Sequence, residues 1–157
     1  MPVLDLEGFR AALAAGQRLL GLDLGEKTIG IALSDTLLSV ATPLVTLKRR
    51  KFTANATELQ TLIKEHGVGG IVVGLPLNMD GSEGPSAQSA RAFARNFVAA
   101  VDIPLVFWDE RLSTAAVTRT LLEADSSRKR RAEVVDKMAA SYILQGALDR
   151  LRHMSRP

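Results

Sequence analysis

The sequence predicts an α/β fold in which a mixed sheet of five strands carries helices on both faces. Three apolar runs come before any long helical pattern, and they favour an antiparallel meander. Two later apolar runs alternate with helical patterns, as parallel strands joined by crossover helices do. A length of 157 residues suits a single domain, 1–157, with its core between about residues 18 and 152.

The predicted meander occupies the first third of the chain. Residues 18–24 and 28–34 are apolar runs separated by residues 25–27, and this spacing predicts a β-hairpin with a short glycine-containing turn. Residues 40–47 supply the third strand. A short amphipathic segment at residues 4–16 precedes the hairpin and predicts one or two helical turns.

Helices and buried strands are then predicted to alternate. Residues 53–66 have apolar side chains at helical spacing and are followed by the helix-stopping Gly67. The continuous apolar runs at residues 70–75 and 104–109 predict buried parallel strands, with a helix at residues 86–100 between them. Ligands of such sheets usually bind beyond the carboxyl ends of the strands.

The last part of the chain is predicted to be mainly helical. Ser113 is a candidate N-cap for a helix that ends near residue 123. A polar, basic loop follows, and a final helix with an apolar stripe spans about residues 132–152.

Composition excludes several classes of site. The chain has no cysteine, which excludes disulfides, thiolate zinc sites and a cysteine nucleophile.

The apolar stretch at residues 11–24 is interrupted by Gln17, Arg18 and Asp23, so no membrane span is predicted. Charged residues near the amino terminus argue against a signal peptide, and we expect a cytoplasmic protein. No Gly-x-Ser-x-Gly motif is present, which excludes a serine-hydrolase elbow.

The net charge of +3 is too small to identify a nucleic-acid-binding protein, but its distribution is informative. Two basic clusters stand out, at residues 48–51 and at Arg128, Lys129, Arg130 and Arg131. Either one alone is most simply a solvated loop. Two clusters on one small domain, together with a carboxylate site, favour a polyanionic partner.

Three acidic residues occupy positions where a carboxylate is unexpected. Asp23 interrupts an apolar strand, where an unpaired charge would lose its hydration. Glu110 directly follows a buried strand. Asp136 has the helical spacing of Ala140 and Ile143, which places it along the apolar side of the final helix.

Each acid also has an ordinary explanation. Asp23 can accept backbone hydrogen bonds or pair with Lys27, Glu110 can pair with Arg111 or a helix amino terminus, and Asp136 can interact with a helix dipole. If the three converge, their mutual repulsion requires cations. Oxygen ligands without nearby His or Cys then indicate Mg²⁺ or Mn²⁺ rather than zinc.

Four groups of residues together carry a resemblance to a known family. In chain order they are Leu22-Asp23-Leu24-Gly25 with Ile29-Gly30-Ile31-Ala32 and Ser34-Asp35, Val73-Gly74-Leu75-Pro76 with Met79-Asp80-Gly81-Ser82, Asp109-Glu110-Arg111-Leu112-Ser113-Thr114, and Val135-Asp136-Lys137-Met138-Ala139-Ala140. From about residue 19 to residue 151 the chain resembles the YqgF family, also called RuvX. Its members are described as Holliday junction resolvases and are associated with maturation of the 5′ end of pre-16S ribosomal RNA.

The resemblance implies an RNase H-like fold and a nuclease that hydrolyses phosphodiester bonds with two Mg²⁺ or Mn²⁺ ions. Its acidic metal ligands match Asp23, Glu110 and Asp136. In such sites the ions lie roughly 3.5–4 Å apart. The resemblance implies that Asp23 would bridge them and that each of the other two acids would complete one coordination sphere. The expected substrate is pre-16S rRNA, with a DNA junction as the alternative.

Around this implied site, three further features are candidates for substrate binding. Arg111 can hold a phosphate or form a salt bridge with a neighbouring acid. The loop that contains Asn78 can contact the nucleic-acid backbone, and the cluster at residues 128–131 can attract phosphates. Junction cleavage would require a symmetric dimer, and the sequence leaves a monomer and a homodimer open.

Two other functional classes compete with a nuclease. In an ATP-binding domain of the actin, Hsp70 and sugar-kinase type the phosphate loop also follows an Asp-x-Gly hairpin, but that architecture needs two such domains and this chain has room for one. A non-catalytic module with this fold would bind RNA or protein without cleaving it. Such modules usually lack the acids that are present here.

Overall fold

The computed structural model describes residues 3–112 and 128–154, with side chains described for 3–112 and 137–154. Its elements in chain order are α1 (Leu6–Ala12), β1 (Arg18–Leu24), β2 (Thr28–Ser34), β3 (Ala41–Lys48), α2 (Phe52–His66), β4 (Val68–Leu75), α3 (Pro85–Ala100), β5 (Leu105–Asp109), a 3-10 turn (Glu110–Leu112) and α4 (Arg128–Met154).

The strands form one mixed sheet in the order β3-β2-β1-β4-β5. Antiparallel pairing joins β1 to β2 and β2 to β3, whereas β4 is parallel to both β1 and β5. The predicted meander followed by two parallel strands is therefore confirmed. The hairpin strands β1 and β2 have the predicted bounds because the apolar runs and the turn between them are both unambiguous.

Side chains of the sheet alternate between two buried layers, as the period of a strand requires. Leu20, Leu22 and Leu24 of β1 belong to the layer covered by α2 and α3. Leu19 belongs to the opposite layer, which contains Ile143 and the rest of the apolar stripe of α4. Helices therefore cover both faces of the sheet, as predicted.

Helix α4 rests almost directly on the backbone of β1. A Cβ atom placed on Gly21 would lie 2.7 Å from Leu144 Cβ and 2.9 Å from the carbonyl oxygen of Ala140. Ala139 and Ala140 are fully buried in this contact. A glycine in the strand and alanines in the helix allow an approach that larger side chains would prevent.

The structure differs from the prediction at the beginning of α4. The prediction of a basic loop is wrong for residues 128–131, which form the first turn of the helix. Lys and Arg have high helix propensity, and a run of them is compatible with either state. The helix expected at residues 113–123 falls outside the described residues. None of the described helices combines the length and the apolar composition that a membrane span requires.

Candidate metal and nucleic-acid site

Asp23 is a buried carboxylate near the carboxyl end of β1. It pairs with Gly30 of β2 and has only 3% of its surface exposed. Strand alternation turns Asp23 away from Leu22 and Leu24 and toward the layer of α4. The sequence-based expectation of a buried acid at this position is confirmed.

Glu110 is a second buried carboxylate at the same edge of the sheet. It is the first residue after β5 and is 5% exposed. Its Oε2 atom lies 3.2 Å from the position that a Cβ atom on Gly74 would occupy. Gly74 itself pairs with Trp108 of β5.

The two acids lie on either side of Gly74. Leu22 of β1 and Val73 of β4 form the last pair between these strands. Asp23 follows Leu22, and Gly74 follows Val73. Because Glu110 reaches Gly74 from the β5 side, the carboxyl edge of the central strands carries a buried carboxylate on each flank of this glycine.

The first turns of α4 lie at this same edge. Ile143 covers Gly74 near the end of β4, whereas Leu151 and Leu13 line one pocket near the start of β1. Helix α4 therefore runs antiparallel to β1 and β4. By its backbone, Asp136 belongs to α4 one turn before Ala140.

The side chains of two sequence-predicted groups fall outside the described part of the structure. They belong to Asp136 and to the basic residues Arg128, Lys129, Arg130 and Arg131. Among the described residues, no group of three His, Cys, Asp or Glu side chains able to hold a metal is found. Asp23 and Glu110 are the two predicted ligands whose burial and place the structure describes.

The described donors fit a hard divalent cation. Carboxylate oxygens are the ligands that Mg²⁺ and Mn²⁺ prefer, and the chain has no cysteine to offer a softer ligand. His66 ends α2 and His153 lies near the end of α4, so neither follows the strands that carry the acids. The residues present therefore suit magnesium or manganese.

Arg111 forms a salt bridge with Asp109, one of the two alternatives predicted for it. The Nη2 atom lies 2.7 Å from Asp109 Oδ2, and Nε lies 3.1 Å from both carboxylate oxygens. The bonds that Arg111 donates lower the pKa of Asp109 and raise the pKa of the guanidinium. Arg111 Nη1 also donates to the carbonyl oxygen of Met79, 3.2 Å away.

The loop after β4 is held by its own hydrogen bonds. Asn78 Nδ2 donates to Ser82 Oγ at 2.9 Å, and the Asn78 amide donates to the Ser82 carbonyl at the same distance. Ser82 donates from its hydroxyl and its amide to Asp80 Oδ1, which lowers the pKa of Asp80. The loop therefore presents the highly exposed Met79 on an ordered turn.

Comparison with known proteins identifies the family to which the chain belongs. The family model described as RuvX, Holliday junction resolvase, matches residues 17–150. The chain belongs to the RuvX family. A relative from Roseobacter denitrificans, named "Putative pre-16S rRNA nuclease", is 63% identical over 94% of this chain and 92% of its own. A relative of the same name from Paramagnetospirillum magneticum is 62% identical over 95% and 96%.

The structural comparison identifies the fold as RNase H-like. RuvC from Thermus thermophilus, solved in complex with a Holliday junction substrate, superposes with a TM-score of 0.55. The alignment covers 88% of this chain and 96% of RuvC at 10% sequence identity. At that identity the likeness concerns the fold alone.

Two hydrogen bonds of Arg49, at this end of the sheet, are not indicated by the sequence. Arg49 Nη1 donates to the carbonyl oxygen of Gly25, and Nη2 donates to Ser89 Oγ, both at 2.8 Å. The arginine thereby links the hairpin turn to α3. These contacts span 24 and 40 residues of sequence, and no local pattern indicates them.

Proposed function

We propose that this RuvX protein is a divalent-metal-dependent nuclease that hydrolyses phosphodiester bonds of pre-16S rRNA, at its 5′ end, during ribosome maturation in the cytoplasm. The observation that carries the proposal is the pair of buried carboxylates, Asp23 and Glu110, beside Gly74. Two acids at one sheet edge, in a family of nucleases, suit metal-assisted cleavage of a phosphodiester better than any other chemistry.

The proposed metal ligands are Asp23, Glu110 and Asp136, holding two Mg²⁺ or Mn²⁺ ions. When bound, such ions lower the pKa of the attacking water and stabilise the departing oxygen. The protein's part is to fix the ligands. Asp23 is held within a paired strand and Glu110 by the short turn after β5, so little reorganisation is needed when substrate arrives.

Burial strengthens this arrangement. Both carboxylates are at least 95% buried, and electrostatic interactions are stronger where water is excluded. A cation between the acids would offset the repulsion that burial otherwise increases. The backbone of Asp136 lies in α4 one turn before Ala140, and this position supports the proposal that Asp136 is the third ligand.

Substrate contacts are proposed for Arg111, Asn78 and the basic first turn of α4, which contains Arg128, Lys129, Arg130 and Arg131. The salt bridge with Asp109 occupies the Nε and Nη2 edge of the Arg111 guanidinium and orients it, and the remaining Nη N–H groups suit a phosphate oxygen. Asn78 stabilises the loop that would lie along the nucleic-acid backbone. Basic residues at the start of α4 would bring phosphates to the edge where the acids lie.

RNA is favoured over DNA by the relatives. The pre-16S rRNA nucleases share about 60% identity over nearly the whole chain, whereas the resolvase of known structure shares 10%. Cleavage at one RNA end needs one active site. Resolution of a DNA junction needs two sites in a symmetric dimer, and it remains the second candidate because the family model is described as a Holliday junction resolvase.

The decisive experiment compares the wild-type protein with Asp23→Asn on a pre-16S rRNA fragment and on a four-way DNA junction. We expect Mg²⁺- or Mn²⁺-dependent cleavage of the RNA, lost with EDTA and reduced at least 10³-fold in the variant, about 4 kcal/mol of transition-state stabilisation. Asp149→Asn is the matched control, because Asp149 is an exposed acid of α4 that pairs with Arg152.

Three results would contradict the proposal in different ways. Undiminished cleavage by Asp23→Asn would remove the proposed mechanism. Metal-dependent cleavage of the junction but not of the RNA would make DNA the substrate. RNA binding without cleavage under any metal condition would identify a non-catalytic module. In cells depleted of the protein, we expect 16S rRNA with unprocessed 5′ ends.

A further inference from the structure

A second polar feature lies at the carboxyl end of β1, on the face opposite the acids. It is a surface pocket of about 430 Å³, and its polar lining residues are Glu26, Arg49, Ser86 and Ser89. Leu24 also lines it and belongs to the layer covered by α3. Since Asp23 and Leu24 are neighbours whose side chains point to opposite faces, the pocket and the acids lie on two sides of one strand end.

The guanidinium of Arg49 is fixed at the wall of this pocket. Its bonds to the Gly25 carbonyl and to Ser89 Oγ hold it between the hairpin turn and α3. These bonds use two of the five N–H donors of the group. A guanidinium that is already oriented loses little entropy on binding, and its remaining donors suit a phosphate oxygen.

The surroundings of the pocket add positive charge and hydroxyl donors. Lys48, Arg50 and Lys51 flank Arg49 in sequence and are exposed. Ser86 is exposed on the first turn of α3 and supplies a hydroxyl at the rim. Glu26 lines the same pocket and is exposed, so its charge reduces the attraction for an anion without filling the space.

We propose that this pocket binds a backbone phosphate of the nucleic-acid substrate, on the strand that continues past the scissile bond. The inference rests on the proposed nuclease function, since it assigns a second contact to the same substrate. A strand that crosses the end of β1 would meet the acids on the α4 face and the Arg49 pocket on the α3 face. The pocket would thereby fix the register of the strand relative to the acids.

Ser86→Asp tests the proposal without removing any fold contact, because no hydrogen bond of the Ser86 side chain holds the described structure together. An acid in the first turn of α3 is favourable to the helix, so the melting temperature should not fall. Gln88→Glu is the matched control. It adds the same charge to the same turn at an exposed residue that does not line the pocket.

The measurement is the affinity for single-stranded RNA in EDTA, over a series of salt concentrations, so that cleavage plays no part. We expect Ser86→Asp to weaken binding about three- to tenfold and to reduce the slope of log K against log salt by about 0.7, the loss of one phosphate contact. Gln88→Glu should bind like the wild type within about twofold, since general repulsion is screened. Glu26→Gln should tighten binding.

The outcomes separate this inference from the proposed function. If the wild type binds and cleaves RNA while Ser86→Asp and Gln88→Glu bind it equally well, the pocket is not a phosphate site and the nuclease assignment stands. If Ser86→Asp abolishes binding of inorganic phosphate or ATP but leaves RNA affinity unchanged, the pocket serves a free anion and the proposal is wrong. Failure of the wild type to bind RNA or DNA overturns both.

Discussion

The carboxylate of Glu110 lies against Gly74: its Oε2 atom is 3.2 Å from where a Cβ atom of residue 74 would be. Ile143 Cγ1 lies at the same distance from that position. Because Gly74 has no side chain, Ile143 of α4 and the carboxylate of Glu110 can both pack against the β4 backbone at this residue. Two carboxylates can flank β4 because β4 has no side chain there.

Replacing this glycine should disturb stability and activity together. In Gly74→Ala, the new methyl group would press on Ile143 and on Glu110, and we expect a loss of about 1–3 kcal/mol in the free energy of unfolding. The rate of RNA cleavage should also fall under conditions where the variant is still folded, because the displaced Glu110 is a proposed metal ligand. Urea unfolding and initial cleavage rates measure the two effects.

A second substitution tests the cause of this effect. Ile143→Val removes the Cδ1 atom that meets the added methyl, and alone it should cost about 0.5–1.5 kcal/mol. In the double variant we expect part of the stability lost in Gly74→Ala to return, with a coupling of 0.5 kcal/mol or more. Strictly additive costs would show that Ile143 is not what opposes a side chain at residue 74.

Metal binding should stabilise the folded protein through the same acids. A ligand at a hundred times its dissociation constant adds about 2.7 kcal/mol to the free energy of unfolding. We expect Mn²⁺ to raise the melting temperature of the wild type and of Asp149→Asn, but to leave Asp23→Asn and Glu110→Gln unchanged. Comparing the variants with the wild type in EDTA separates the effect of each substitution on the melting temperature from the effect of the metal.

Differential scanning fluorimetry with EDTA, Mg²⁺ or Mn²⁺ provides this comparison, and it does not depend on knowing the substrate. An equal rise for the wild type and for Asp23→Asn would place the metal elsewhere on the protein. A rise that is lost in Asp23→Asn but kept in Glu110→Gln would leave Asp23 as a ligand and remove Glu110 from the set.

The sequence predicts the burial of the two acids better than it predicts the contacts around them. Asp23 and Glu110 are recognisable because a carboxylate within or just after an apolar run contradicts the local pattern, and their burial is confirmed. The role of Gly74 depends on Ile143, 69 residues later, and that of Arg49 on Gly25 and Ser89. Such contacts arise from strand order and helix placement, which local periodicity does not encode.

The beginning of α4 shows a second reason why the sequence does not predict every element boundary. The residues from Arg128 to Arg131 have no apolar side chains, so hydrophobic periodicity cannot indicate a helix there. Helix propensity favours one, but a basic run is equally typical of a solvated loop. The apolar pattern therefore predicts a helix start at about Ala132, four residues after the observed start at Arg128.

Acid pH should weaken the turn between β2 and β3, which lies at the opposite end of the strands from the acids. Asp35 accepts hydrogen bonds from Ser39 Oγ at 2.6 Å, from the Val40 amide at 3.1 Å and from the Ser39 amide at 2.7 Å. These bonds, the Ser39 hydroxyl first, lower the pKa of Asp35 from 3.8 to about 2. Because the folded-state pKa is depressed, the stabilisation is present above about pH 4 and is lost as the pH falls toward 2.

We therefore expect Asp35→Asn to cost about 1 kcal/mol at pH 7, the shift being discounted for solvent screening at this partly exposed turn. The cost should shrink as the pH falls from 4 to 2, where the wild-type carboxyl also becomes neutral. Ser39→Ala should show a smaller cost with the same pH dependence. Urea unfolding at pH 7, 5 and 3 checks this, and a cost independent of pH would assign the effect to the shape of the turn instead.

Arg111 should couple the loop after β4 to the site. In Arg111→Lys the charge remains, but the forked contact with Asp109 and the bond to the Met79 carbonyl are lost. We expect faster hydrogen exchange at the Gly81 and Ser82 amides and a rise in the KM for RNA of about tenfold, roughly 1.4 kcal/mol, with a smaller change in kcat. Arg95→Lys, at an exposed arginine of α3, is the control and should change neither. Faster exchange without a change in KM would confine Arg111 to holding the loop, and a KM change without faster exchange would make it a direct phosphate ligand only.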